Sequence, residues 1–310
     1  MEPHVFDELM EEVKPALTKQ DTNIRSFLTA HEKVCLTLRF LASGASYKDL
    51  MYTFRVSDST ISEVVPNVCK VFYEHLKDEC ARVPQSKEEW MQISKQFEEK
   101  WQFPHCLVAI DGKHVNIRAP PDTGSEYFNY KKQFSVVLLW IADADALSIA
   151  FDIDAPGSQS DGGIFKHGCL SNLCQSASIP PPSEQGDQVD PIPYFFIGEE
   201  AFALTEQLIK PYPHCTAIGD EKVYNYRLSR PRRNVENAFG IMCARFRILL
   251  RTMELNVANA IQVIRACVVL HNSLTLTEDK NYSPPGSEDS ENETGSGHQV
   301  HGEFSEWGCM

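Results

Sequence analysis

Four short apolar runs, each of strand length, constrain this chain more than any other feature. The first is Leu107 to Ile110 in HCLVAIDGKHVNI (105–117), and it closes on Asp111-Gly112. The next two lie in FSVVLLWIADADALSIAFDIDAPGS (134–158): Phe134 to Ile141, a turn at Asp143-Ala144-Asp145, then Leu147 to Ile153. The fourth is Tyr194 to Ile197, which closes on Gly198-Glu199-Glu200. The first run, Leu107 to Ile110, has no polar alternation, as in a buried strand, and 134–158 reads as a hairpin. Helical patterns occur between and around them. An α/β fold with helices flanking a mixed sheet over 101–275 follows. Two of the strands are expected to end on an acid, at Asp111 and at Glu199, where open α/β sheets carry their sites.

The flanks read differently. Residues 1–100 read as all-helical. HEKVCLTLRFLASG (31–44) is one helix stopped at Gly44. The stretch 46–76 reads as two helices around Arg55-Val56-Ser57, with Asp58 or Ser59 capping the second. A short helix, a tight turn and a capped second helix have helix-turn-helix spacing. The residues that would enter a groove, Ser57 to Ser62, can hydrogen-bond but carry no positive charge. A plain packing module fits equally. Residues 276–310 are rich in Ser, Gly, Glu and Asn and are expected to be an acidic disordered tail. The Pro-rich acidic stretch 176–193 reads as a long loop.

Net charge is −14, which taken whole opposes a nucleic-acid partner. Position changes that inference. Residues 277–310 hold eight acids and one base, half of the total. Residues 222–251 hold eight bases and one acid, Glu236, a local +7. Glu236 lies in NVENAFGIMCARFRILL (234–250), whose apolar residues share one helical face. It is either an ion-pair anchor or a functional group. Ten cysteines without regular spacing, behind an acidic N-terminus with no apolar signal core, predict free thiols and a reducing compartment. No run reaches the ~18 apolar residues of a membrane span.

Asp111, Glu199 and Glu236 thus come from separate elements, and three convergent carboxylates suit a hard divalent cation, Mg²⁺ or Mn²⁺. Two such metals can activate a water and stabilise a leaving oxygen in phosphoryl transfer. Ser160-Asp161 is expected to cap a helix running to about Leu173, so Asp161 reads as a cap rather than a ligand. His271 reads as a packing residue at a helix end. His167, Cys169 and Cys174 make a weak zinc set. No G-x-S-x-G, H-E-x-x-H or Walker loop is present.

AIDGKHVNIRAP (109–120), FNYKKQFSVVLLWIADAD (128–145), PGSQSDGGIF (156–165), PYFFIGEEAFAL (193–204), YNYRLSRPRRNVENAFGIMCARFRIL (224–249) and VVLHNSL (268–274) occur in that order. In these motifs the chain resembles the PIF/Harbinger-type DDE transposases, and among them the Harbinger transposase-derived nucleases. The resemblance covers about 30–275. It implies an RNase H-like (DDE) core and a divalent metal cofactor. It also implies a metal-dependent endonuclease that hydrolyses DNA phosphodiester bonds. It matches the first acid to Asp111 and the third to Glu236. At the second it implies Asp, and this chain has Glu199; the charge is kept and the oxygen moves by about 1.5 Å, one bond length. That departure opens an alternative, a domesticated DNA- or protein-binding module with an impaired site. Lys113, Arg227, Arg230, Arg232 and Arg233 would contact DNA phosphates. Asp220, which also follows a glycine, is set aside as a decoy. The resemblance further implies a partner with a Myb/SANT-like DNA-binding domain and residence in nucleus and cytoplasm. The lack of a spanning apolar run leads to the expectation of no membrane partner, and a homo-oligomer stays open.

Overall fold

The computed structural model describes residues 1–18, 28–176, 178–183, 191–213 and 215–277. Apart from its first two residues, the stretch expected to form an acidic tail lies outside the described residues, as does the middle of the 176–193 loop.

The four apolar runs become four strands of a five-stranded mixed sheet, whose fifth strand no run announced. Its strands are β1 (Cys106–Asn116), β2 (Ser135–Ala142), β3 (Ser148–Pro156), β4 (Phe195–Ile197) and β5 (Leu208–Ile209), in the spatial order β3-β2-β1-β4-β5. β1, β2 and β3 pair antiparallel, whereas β4 runs parallel to β1 and β5 parallel to β4. Every residue of β2 is buried, and the reason is alternation between two covered faces. Val136, Leu138, Trp140 and Ala142 join one apolar cluster; Val137, Leu139 and Ile141 join the other.

Among the described residues, seven α-helices precede the last one: α1 (Pro3–Leu17), α2 (Ala30–Ser43), α3 (Tyr47–Phe54), α4 (Asp58–Cys80), α5 (Lys87–Trp101), α6 (Asp161–His167) and α7 (Asp220–Arg245). The last is α8 (Val257–Thr277). α7, α8 and α4 cover the Trp140 face, with Phe239 and His271 both edge-on to the Trp140 ring. The opposite face is closed by Trp90 of α5, by Ile164 and Phe165 of α6, and by Phe202. α8 is long and apolar enough to cross a membrane by length and composition, yet most of it is buried here, as in a core helix.

Caps explain the helix boundaries. α2 starts with a capping box between Thr29 and Glu32 and stops at Gly44, whose φ of 62° is left-handed. α3 starts with a capping box between Ser46 and Asp49 and stops at Arg55. Ser57, rather than Asp58 or Ser59, caps α4 by accepting from the Thr60 amide.

Two expectations are corrected. β1 does not end at Asp111-Gly112; it continues to Asn116, because β2 keeps pairing with it from Asp111↔Trp140 to Asn116↔Ser135. What ends near Asp111 is the other neighbour, since β4 pairs with β1 only as far as Ala109↔Ile197. The helix carrying Glu236 is also longer than 234–250 suggested, for α7 begins at Asp220 and passes through Pro231.

Candidate active site

The parallel pairing of β1 with β4 builds the site. Ala109 lies opposite Ile197, the last register pair. Asp111 and Glu199 each lie two residues beyond that pair, so parallel strands carry the two acids out side by side. Past this point β1 has no neighbour on its β4 side, and a cleft of about 630 Å³ opens there. Asp111, Asp161, Glu199 and Glu236 all line it, together with Gly112, Lys113, His114, Tyr130 and Phe239.

The third acid to reach the centre is Asp161. Ser160 does the capping, accepting from the Gly163 amide, which leaves the Asp161 carboxylate free to face the cleft. Ligand atoms of Asp111, Asp161 and Glu199 all lie within 4.8 Å of one another, and all three residues are partly buried. Among the described residues this is the only group of three acids, histidines or cysteines so arranged. His167, Cys169 and Cys174 do not form one.

Two glycines make the approach possible. A Cβ on Gly112 would overlap the Asp161 carboxylate. A Cβ on Gly162 would overlap the Ala201 carbonyl, so α6 lies close against the loop after β4. Each is a close approach that only glycine allows.

The electrostatics follow from crowding. Burial first, then repulsion from Glu199, pushes the Asp111 carboxyl up to about 7; its bond from the Gly112 amide and the Arg232 charge oppose this. Asp161 is also raised, by burial first and then by Glu199, with which it shares a hydrogen bond. Carboxylates this close cannot all ionise without a counter-charge. A hard cation with oxygen preference is the natural counter-charge for this donor set.

Glu236 stands slightly apart. It projects from α7 into the same cleft, 46% exposed, and accepts from Arg232 at 2.6 Å. Both readings of this lone acid therefore have a basis, since it anchors an ion pair and lines the site. Arg232, expected to contact DNA, is occupied by that pair. Lys113 turns inward, its ammonium 5.7 Å from the Phe239 ring centroid and beside the Cys243 thiol. Arg227 and Arg233 are exposed on α7, and Arg230 is partly exposed. Asp220 is the first residue of α7, and it does not line the cleft. His271 sits inside α8 and is buried; burial pushes its imidazole down to about 3, with Arg245 adding to the shift.

The family described as DDE superfamily endonuclease matches residues 110–272, more than half of the chain and all four cleft acids. This chain belongs to the DDE superfamily endonucleases. Among relatives of this DDE chain, the Arabidopsis thaliana protein named Antagonist of Like Heterochromatin Protein 1 is 26% identical over 251 residues, 79% of this chain and 62% of that protein. The chain therefore spans less than two thirds of that relative. An Arabidopsis thaliana ALP1-like protein is 24% identical over 287 residues, 89% of this chain and 69% of its own length. The Homo sapiens protein named "Putative nuclease HARBI1" is 24% identical over 273 residues, 87% of this chain and 74% of its own length. No solved structure matches the chain. Sequence reasoning set Asp161 aside as a cap because Ser160 and Asp161 are both good caps; the structure gives the capping to Ser160. The signal that could have found it is the pairing of Asp111-Gly112 with a later Asp161-Gly162-Gly163.

Proposed function

We propose that this chain is a metal-dependent endonuclease that hydrolyses DNA phosphodiester bonds. The observation that carries the reading is the meeting of Asp111, Asp161 and Glu199, from β1, α6 and the loop after β4, within 4.8 Å. These three would hold Mg²⁺ or Mn²⁺, with Glu236 at the cleft wall. When bound there, a divalent cation supplies the charge that activates an attacking water and stabilises the leaving oxygen. The protein's own part is positioning. Burial holds the Asp111 carboxyl up at about 7, and a divalent cation bound beside it would favour its ionised form. Glu236 pairs with Arg232, whose charge also draws down Asp111. Exposed Arg227 and Arg233, with Arg230, offer charges to phosphates along α7. Lys113 orders the cleft floor against Phe239.

The strand order, with three antiparallel strands followed by two parallel ones, supports an RNase H-like core. In the same reading α3 and α4 form a helix-turn-helix. Ser57 Oγ bonds the Ser59 and Thr60 hydroxyls at its turn and none of the three brings a positive charge, which suits weak DNA contact and reliance on a Myb/SANT-like partner. Nuclear and cytoplasmic residence belongs to this proposal. Plasmid nicking with Mg²⁺, Mn²⁺ and EDTA tests it: metal-dependent nicking that Asp111→Ala removes supports the reading, and retained nicking in that variant sinks it.

A second reading has an observation in its favour. Glu199 stands where the family resemblance implies Asp, and a relative is named for antagonism of a heterochromatin protein rather than for an enzyme. In that reading the chain is an impaired DNA- or protein-binding module. Glu199→Asp discriminates: a rise in nicking identifies a weakened site, and no change leaves the active-enzyme reading in place.

A further inference from the structure

Tyr130 is among the most exposed large side chains of the described residues, at 77%, yet it lines the acidic cleft. Its backbone is held firmly. Asn129, 3% exposed, accepts from the amides of Lys131 and Gln133 and donates to Ser135 Oγ. Ser135 Oγ bonds in turn to His114 Nδ1 at 2.9 Å, which ties the turn to the cleft floor. Phe128 and Phe134 close the base of the turn edge to face, 5.3 Å apart. The His114 ring meets Tyr130 edge-on at 5.5 Å, and the Lys131 ammonium lies 5.4 Å from the Tyr130 centroid.

A ring held on a braced turn at the cleft offers an accessible flat face on which a base can stack. Its position beside the carboxylates, with exposed Lys131 and Lys132 next to it, suits a nucleobase whose phosphate the lysines neutralise. In an intact duplex each base face is already stacked on its neighbours. We propose that Tyr130 is a stacking platform for an unpaired nucleobase beside the scissile phosphate, so that the substrate class is DNA with an unpaired nucleotide at the cut. This rests on the reading of the cleft as a DNA site.

The test measures binding apart from cleavage. Oligonucleotides carry 2-aminopurine at an unpaired or a paired position, and their fluorescence is titrated with the full chain, with Ca²⁺ in place of Mg²⁺ and again in EDTA. The expected result is quenching of the unpaired probe by the wild type, and by Tyr130→Phe and Tyr130→Trp. Tyr130→Ala should bind it about 5- to 100-fold more weakly, the scale of losing one base–aromatic stack. An unchanged unfolding midpoint for Tyr130→Ala guards against a folding artefact. Tyr130-dependent quenching supports the platform even where plasmid nicking fails, in which case only the nuclease reading falls. Undiminished quenching with Tyr130→Ala, quenching of paired and unpaired probes alike, or no binding by the wild type overturns the platform, even where nicking persists.

Discussion

Asp111→Asn removes a charge that the fold holds at a cost. The Asp111 carboxyl sits at about 7 in the folded chain, chiefly through burial and secondly through Glu199, against an ordinary value near 3.9. The folded pKa is the higher one. Between these two values the folded state keeps a proton that the unfolded state has released, so stability is fully present below about pH 4 and is lost as pH rises through 7. About three pKa units correspond to roughly 4 kcal/mol at pH 8, and solvent at the cleft mouth reduces that to about 2 kcal/mol. Asn keeps the shape and carries no charge. Without metal at pH 8, the variant should therefore be about 2 kcal/mol more stable than wild type, with the difference vanishing toward pH 4. Urea denaturation from pH 4 to 8 in EDTA measures this. Added Mg²⁺ should then stabilise the wild type and leave Asp111→Asn nearly unmoved, since only a folded state that binds ligand gains from it. A variant less stable than wild type at pH 8 in EDTA, or equal stabilisation of both by Mg²⁺, would refute the crowded-carboxylate argument.

Three further outcomes are expected. Glu236→Ala should change stability by less than about 1 kcal/mol, as an exposed ion pair does, while abolishing metal-dependent nicking; circular dichroism melting and the plasmid assay check the two halves. Gly112→Ala forces a methyl into the Asp161 carboxylate, so it should cost about 1–3 kcal/mol and weaken Mn²⁺ binding, read by urea denaturation and by electron paramagnetic resonance of free Mn²⁺. His271 is held neutral by burial at about 3; its folded value lies below the unfolded one, so its contribution is lost as pH falls from about 6.5 toward 3. His271→Leu should flatten that acid limb in pH-dependent denaturation.

Four of the five strands were legible from their apolar runs, whereas the two-residue β5, Leu208–Ile209, gave no such signal. β2 is the clearest of the four, with every residue buried. The end of β1 was not legible. Asp111-Gly112 has the chemistry of a turn, but pairing with β2 is a long-range property and carries the strand on to Asn116. Nor was the start of α7 legible; the helix begins at Asp220 and runs through the buried Pro231, well before the 234–250 pattern. Asp111 and Glu199 were readable as acids after apolar runs. Their neighbourhood was not, because it depends on β4 lying parallel to β1 in the register Ala109↔Ile197. Asp161 reaches the centre only because Gly112, on another element, leaves room for it. The turn presenting Tyr130 is set by Asn129 contacts across four residues, which composition does not reveal.

The most direct test of the central claim is calorimetric titration of the full chain with Mn²⁺, comparing wild type with Asp111→Ala, Asp161→Ala and Glu199→Ala. Saturable binding by the wild type, with proton release near neutral pH, and loss of that binding in each variant are expected. Binding that survives unchanged in Asp161→Ala or Asp111→Ala would contradict the claim, because the cleft acids would then not be the metal ligands.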